Sequence, residues 1–154
     1  MSEPVWGTRS VSVSRDIEAP ASAVFAVVRN PALHAVIDGS GTVKASSIDD
    51  APLLELGSRF GMDMKLGVPY RISNEVVEFD SDRRIAWRHM GGHRWRYTIE
   101  PRGDAACTVT ETFDWSTSRI PLMIQILGQD RKHVPNLQRT LERLDRYVTT
   151  GSAD

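Results

Sequence analysis

One cysteine, Cys107, is all that 154 residues contain. An intrachain disulfide is excluded, and a thiolate metal centre within one chain lacks ligands. The lone thiol fits a reducing compartment, and the cytoplasm is the expected location. Long hydrophobic runs are missing too. Nothing approaches the ~20 apolar residues of a membrane span, so no stable membrane insertion is expected. The opening MSEPVWGTRS has no basic stretch followed by an apolar block, and no secretory leader is expected. Charge of one sign is also absent. Nineteen Lys+Arg stand against 20 Asp+Glu, a net charge of −1. That speaks against nucleic acid, or an anionic membrane, as a general partner. Lysine is scarce: Lys44, Lys65 and Lys132 leave sixteen arginines. Genomic base composition or bidentate anion recognition would each explain that bias, and scattered arginines do not separate them. No Gly-rich phosphate loop, nucleophile elbow or HExxH is present, and no cofactor is expected. Cys107 has no basic neighbour in sequence to activate it and reads as inert.

What is present is a patterned chain. Its length sets about one domain, expected over residues 1–154 with an ordered core at about 9–148. Residues 9–18 alternate, with Val11, Val13 and Ile17 on one face, and predict a half-buried strand. Pro20 is well placed to start a helix, whose stripe is Val24, Phe25, Val27 and Val28. Asn30–Pro31 stops it, and residues 31–38 predict a second short helix. Six strands follow, at 42–48, 59–66, 70–79, 83–89, 93–100 and 107–115, with turn residues between most of them. Residues 49–57 read as a loop carrying Leu53, Leu54 and Leu56. Apolar positions then recur at Ile120, Met123, Leu127, Val134, Leu137, Leu141, Leu144 and Val148, the stripe of a long amphipathic helix. Gly128 and Pro135 interrupt it, and a kink or break is expected between them. Antiparallel strands with short turns leave a face to be covered, and the long helix is the available cover. The class is α+β.

Four stretches carry a resemblance: APASAVFAVVRNP, VVEFDSDRRIAW, YTIEPRGDAACTVTETFDW and RTLERLDRYV. Together they resemble the START-like (SRPBCC) superfamily, which includes polyketide cyclase/dehydrase-type and Bet v 1-like proteins. The resemblance covers the chain from about Arg9 to Val148. It implies a helix-grip fold: a curved antiparallel sheet wrapped around the C-terminal helix, enclosing an apolar cavity. It carries over only structural positions, namely Pro20, Phe25, Trp87 and Tyr97. The superfamily spans ligand transport, polyketide cyclisation, hormone sensing and oxygenase subunits, so fold does not decide activity.

The alternation proposes what would line such a cavity. A three-residue loop at 90–92 sets His89 opposite His93, Trp87 opposite Trp95 and Ile85 opposite Tyr97, all on one face. The other face carries Arg84, Arg88, Arg94 and Arg96, which tolerate water better than a core, so the aromatic face is expected inward. On the next strand Val109, Glu111, Phe113 and Trp115 share a face. If that face is inward too, Glu111 is a carboxylate inside an aromatic cavity. It must then pair with arginine, take up a proton or meet water. A register slip would instead turn it to solvent. Met62, Met64 and Met123 offer adaptable lining or plain core packing. His34 and Asp38 sit near the segment expected to cover the entrance, where Asp38 reads first as a turn former. His89 and His93 alone do not make a zinc site, and no metal is expected. The ligand-binding candidates are therefore Trp87, His89, His93, Trp95, Tyr97, Glu111, Trp115 and Met123.

Three functions stay open. The first is binding or transport of a small hydrophobic ligand, such as a lipid, a polyketide or an aromatic compound. The second is a polyketide cyclase or aromatase with Glu111, His89, His93 and Tyr97 as acid–base groups. The third is a non-catalytic interaction protein with a filled core, where a homodimer or an apolar patch near Leu53–Leu56 would carry the function.

Overall fold

The alternating residues Ser10–Ile17 do form a strand, β2, in a computed structural model that describes residues 3–40, 43–46, 53–89 and 91–154. A short β1, Val5–Trp6, pairs with it, in a stretch whose two residues are too few to show a period. The remaining strands are β3 (Val43–Ser46), β4 (Arg59–Leu66), β5 (Val68–Asp80), β6 (Arg84–His89), β7 (Arg94–Pro101) and β8 (Cys107–Asp114). They make one antiparallel sheet in the order β1-β2-β8-β7-β6-β5-β4-β3. Between β2 and β3 lie α1 (Ala21–Val28), a 3₁₀ turn (Pro31–Leu33) and α2 (His34–Ile37). Asn30 caps that turn by accepting the Ala32 N–H at 3.1 Å. The parts of the expected 42–48 strand and 49–57 loop at 47–52 lie outside the described residues.

The C-terminal helix breaks at the first of its two interruptions. Gly128 adopts φ 69°, a left-handed conformation, and separates α3 (Pro121–Ile126) from α4 (Gln129–Thr150). Pro135 sits inside α4 without ending it. From α4, Leu137, Leu141 and Leu144 enter the core with the spacing of one helical face. They join Val11, Val13 and Ile17 of β2 and Val109 and Phe113 of β8. The Arg15–Asp145 ion pair, 2.7 Å, ties α4 to β2.

The segment after α2 is pressed onto α4. Gly39 N–H donates to Thr140 Oγ1 at 2.9 Å, and Arg139 Nε donates to Gly39 O at 2.9 Å. Arg143 donates twice to Val36 O, at 2.9 and 3.0 Å. The sheet, α2 and α4 thus enclose a space from three sides.

The outer face carries the four expected arginines, and it is neutralised by a residue whose place the alternation does not reveal. β5 has a bulge between Val76, opposite Trp87, and Glu78, opposite Ala86. The bulge keeps Asn74 and Val76 inward while turning Glu78 outward. There Glu78 accepts from Arg96 at 2.7 and 2.8 Å and from Arg94 at 2.9 Å, with Arg84 at 3.8 Å. Arg96 also reaches Asp114 at 3.2 Å. The Arg96 hydrogen bond, helped by Arg94 and opposed by burial, holds the Glu78 carboxyl down to about 2. Glu78→Gln removes the counter-charge and leaves clustered arginines. We expect a loss of about 1–3 kcal/mol in urea denaturation at neutral pH, shrinking as added salt screens the repulsion. An unchanged midpoint would refute it.

Candidate functional site: a part-polar cavity between sheet and helix

The β6–β7 hairpin has the register that its sequence predicts. Ile85 faces Tyr97 and Trp87 faces Trp95, while His89 N–H donates to His93 O at 2.9 Å. The His89 and His93 rings stack at 4.6 Å with 13° between planes. β8 runs beside β7 and β2 without a bulge, so Glu111 falls opposite Tyr97 and points inward. These side chains face a cavity of about 530 Å³. Ligand pockets begin near 300 Å³.

Three elements build its walls. The sheet supplies Tyr70, Ile72 and Asn74 from β5, Trp87 and His89 from β6, Trp95 and Tyr97 from β7, with His93 just before it, and Glu111 from β8. The α2 segment supplies His34, Ile37, Asp38 and Ser40. α4 supplies His133, Asn136, Leu137 and Thr140. Six of the eight candidates are therefore in the lining: Trp87, His89, His93, Trp95, Tyr97 and Glu111.

Two are not. Trp115 is 1% exposed and absent from the cavity wall; it packs against Phe113 at 5.5 Å and fills core. It lies just past the end of β8, beyond the cavity. Met123 is 53% exposed, because the left-handed joint at Gly128 turns the α3 stripe away from that of α4. The side chains of Met62 and Met64 lie outside the described residues.

Sequence reasoning missed four lining groups with a readable signal. His133 and Asn136 lie four and one residues before Leu137, and Thr140 three after it, on the buried side of α4. Asn74 lies between Ile72 and Val76 in the β5 alternation. With His133 counted, all four histidines of the chain line one cavity.

Burial sets their charge. His34 is pushed down to about 4 by desolvation, against the raising effects of the Val28 carbonyl and Asp38. Its Nε2 lies 2.8 Å from Val28 O and so carries the proton. Nδ1 is then a lone pair, buried and without a partner. His93 is lowered to about 4 by burial and then by His89 and His133; His133 is lowered to about 4 by burial. Burial lowers His89 as well, and its Nδ1 accepts the Gly91 N–H at 3.2 Å.

Glu111 moves the other way. Desolvation raises its carboxyl well above the usual range; a Tyr97 hydrogen bond opposes and Asp38 adds to the rise. Tyr97 is raised well above 10 by burial and then by Glu111. The Tyr97 hydroxyl donates to one Glu111 oxygen. The other oxygen, Oε2, is buried and has no partner among the described residues. Asn74 is a third case: its buried amide nitrogen and oxygen both lack partners. The cavity wall thus includes three residues, His34, Asn74 and Glu111, with buried polar atoms unpaired among the described residues. Asp38 accepts the Ser40 hydroxyl at 2.8 and 2.9 Å. Among the described residues, no lysine or arginine lines the cavity. No group of three His, Cys, Asp or Glu side chains among those residues is placed to hold a metal ion.

A curved antiparallel sheet closed on a long helix around such a cavity is a ligand-binding helix-grip fold. The chain belongs to the polyketide cyclase / dehydrase and lipid transport family, whose model matches residues 8–149. It is 34% identical over 152 residues to the uncharacterized protein Rv0088 of Mycobacterium tuberculosis, covering 96% of this chain and 67% of that one. Solved structures share the fold at low identity. An Arthrobacter aurescens protein matches with TM-score 0.75 at 12% identity, over 99% of this chain and 94% of that one. A Thalictrum norcoclaurine synthase mutant, in complex with a transition-state analogue, matches with TM-score 0.65 at 14% identity, over 98% and 99%. An AHSA1-like protein from Aeromonas hydrophila matches with TM-score 0.59 at 20% identity, over 93% and 95%. Among the described residues, no helix is long and apolar enough to cross a membrane.

Proposed function

We propose that the chain binds a small, uncharged hydrophobic molecule bearing hydroxyl or carbonyl groups, of the lipid, polyketide or aromatic kind. One observation carries this reading: His34, Asn74 and Glu111, each with a buried polar atom unpaired among the described residues, all belong to the wall of a single cavity of about 530 Å³. Buried polar atoms without partners are costly, so they mark where a ligand supplies the partners. Trp87, Trp95 and Tyr97 give the apolar area, and the polar atoms orient the guest. A carboxylate or phosphate guest would meet no lysine or arginine among the described residues and would stand beside Glu111 and Asp38.

A cyclase or aromatase reading has one specific support. A protonated Glu111 held by Tyr97 is a candidate general acid for an enolisable ketone, and the His34 lone pair is a candidate base. Against a filled core stands the placement of Trp87 and Trp95 in the wall of the space.

Native mass spectrometry of protein purified from its own host tests the main reading. We expect a retained neutral molecule, lost in Ile72→Trp, which puts an indole into the cavity. Absence of any guest, together with no binding of phenolic ketones to the empty protein, would refute it. For a phenolic ketone that binds, Glu111→Gln keeps a donor and should keep affinity within a few-fold, whereas Glu111→Ala should lose about tenfold. Tryptophan fluorescence titration reads both.

A further inference from the structure

Two surface features stand unexplained, and they adjoin. The first is α3. Of its apolar residues and their flanks only Ile124 is buried; Ile120, Leu122, Met123, Ile126 and Leu127 are between 53% and 82% exposed. A cluster of that kind on a surface marks an interaction site rather than a chance exposure. The second is a groove on the outer face lined by Arg59, Arg88, Arg94 and Arg119, with Glu75 the one acid among its described lining residues and Glu78 paired to Arg94 at 2.9 Å beside it. Glu75 is shared, at 3.4 Å from Arg59 and 3.9 Å from Arg88. Arg94 Nε is buried without a partner.

Arg119 joins the two features. It lines the groove, its N–H donates to Gly91 O at 3.1 Å, and Ile120 follows it directly. At the far end of α3, Arg131 and Lys132 are exposed, while Asp130 is buried. An apolar element is thus bracketed by basic residues and continuous with a cationic groove. The net charge of −1 excludes a generally cationic chain, but it averages over faces and hides this one.

We propose that this face docks on an anionic lipid bilayer. The exposed side chains of α3 enter the headgroup boundary, and the arginine groove meets the anionic headgroups. Charge complementarity selects this occupant. A second copy would bring arginines against arginines. The chain lies on the membrane and does not span it. The docking also brings the cavity close to the lipid, because Asn74 and His89 line both the groove and the cavity.

Sedimentation with vesicles tests this, using phosphatidylcholine alone and equimolar phosphatidylcholine and phosphatidylserine. The wild-type chain should sediment with the phosphatidylserine vesicles and be released by high salt. Leu122→Glu and Ile126→Glu alter side chains that touch no core, so folding by circular dichroism should be unchanged. Each should weaken partitioning by about tenfold or more. Arg119→Glu should weaken binding to phosphatidylserine vesicles. Ile72→Trp, which tests the cavity, should still sediment; docking and ligand binding can therefore fail separately. Wild-type protein left in the supernatant, equal binding to both vesicle types, or unaltered binding by the α3 variants would each overturn the proposal. So would light scattering that shows a dimer abolished by Ile126→Glu, which would give the face to a second copy.

Discussion

Gly39→Ala will destabilise the chain by about 3 kcal/mol or more, and it will disturb the cavity at the same time. A methyl group at this position would lie 2.5 Å from Thr140 N, 2.6 Å from Arg139 Cβ and 2.7 Å from Asn136 O. All three belong to the α4 backbone or its first carbon, so no flexible side chain can swing aside. The segment must lift instead. Lifting it breaks the Gly39 N–H to Thr140 bond and the Arg139 to Gly39 carbonyl bond. It also displaces Asp38 and Ser40, both part of the cavity wall. Urea denaturation should show a lower midpoint with little change in slope. Gly103→Ala is the control: its φ of +75° strains any side chain, yet nothing stands within 4 Å of the added carbon. That variant should lose about 1 kcal/mol. Equal losses at the two positions would refute the packing argument.

Stability will fall as pH drops below 6.5, and Glu111 will offset part of that loss. His34, His93 and His133 have folded values of about 4, below the ordinary 6.5. A depressed value contributes stability that is present above 6.5 and lost as pH falls toward 4. Glu111 is raised, so its contribution is full below the ordinary 4.5 and fades as pH rises toward its folded value. Between pH 4.5 and 6.5 these histidines, with His89 lowered in the same direction, oppose Glu111, and stability rises with pH. Above 6.5 the histidine contribution is complete. Below 4.5 Glu78, held to about 2, steepens the acid loss. His34 by itself accounts for roughly 3 kcal/mol of the acid limb. His34→Gln should flatten that limb, and Glu111→Gln, which removes the opposing group, should steepen it. Denaturation midpoints measured from pH 4 to 8 check both. Stability that does not fall from pH 6.5 to 4, or a limb unmoved by either variant, would refute the assignment.

Much of this site is legible in the chain because period-two alternation and a short loop leave one register. The pairing of Trp87 with Trp95 and of Ile85 with Tyr97 follows from the loop at 90–92 alone. Glu111 was the harder case. It points inward only because β8 has no bulge, and regular pairing leaves no mark that distinguishes it from a slip. The bulge in β5 is equally silent in sequence, so Glu78 could not be assigned as the counter-ion of the outer arginines. Met123 was misread because a stripe continued across Gly128 assumes one helix, whereas a left-handed glycine resets the phase. His133 was missed because it is polar in an apolar stripe, which is where a cavity-facing helix shows itself.

The joint at Gly128 also decides how force could pass through the molecule. α3 is anchored by one buried side chain, Ile124, and meets α4 through a residue with wide torsional freedom. At that joint the Gly128 N–H donates to Gln125 O and the Gly128 carbonyl accepts from Lys132 N–H, both at 3.1 Å. The stiffer path lies at the other end of α3, where Arg119 N–H holds Gly91 O and Thr117 Oγ1 donates to Gly92 O at 2.5 Å. His89 and His93 stand on either side of that hairpin tip. The stacked imidazoles of the cavity wall are thus tied to the surface segment before α3 through this hairpin.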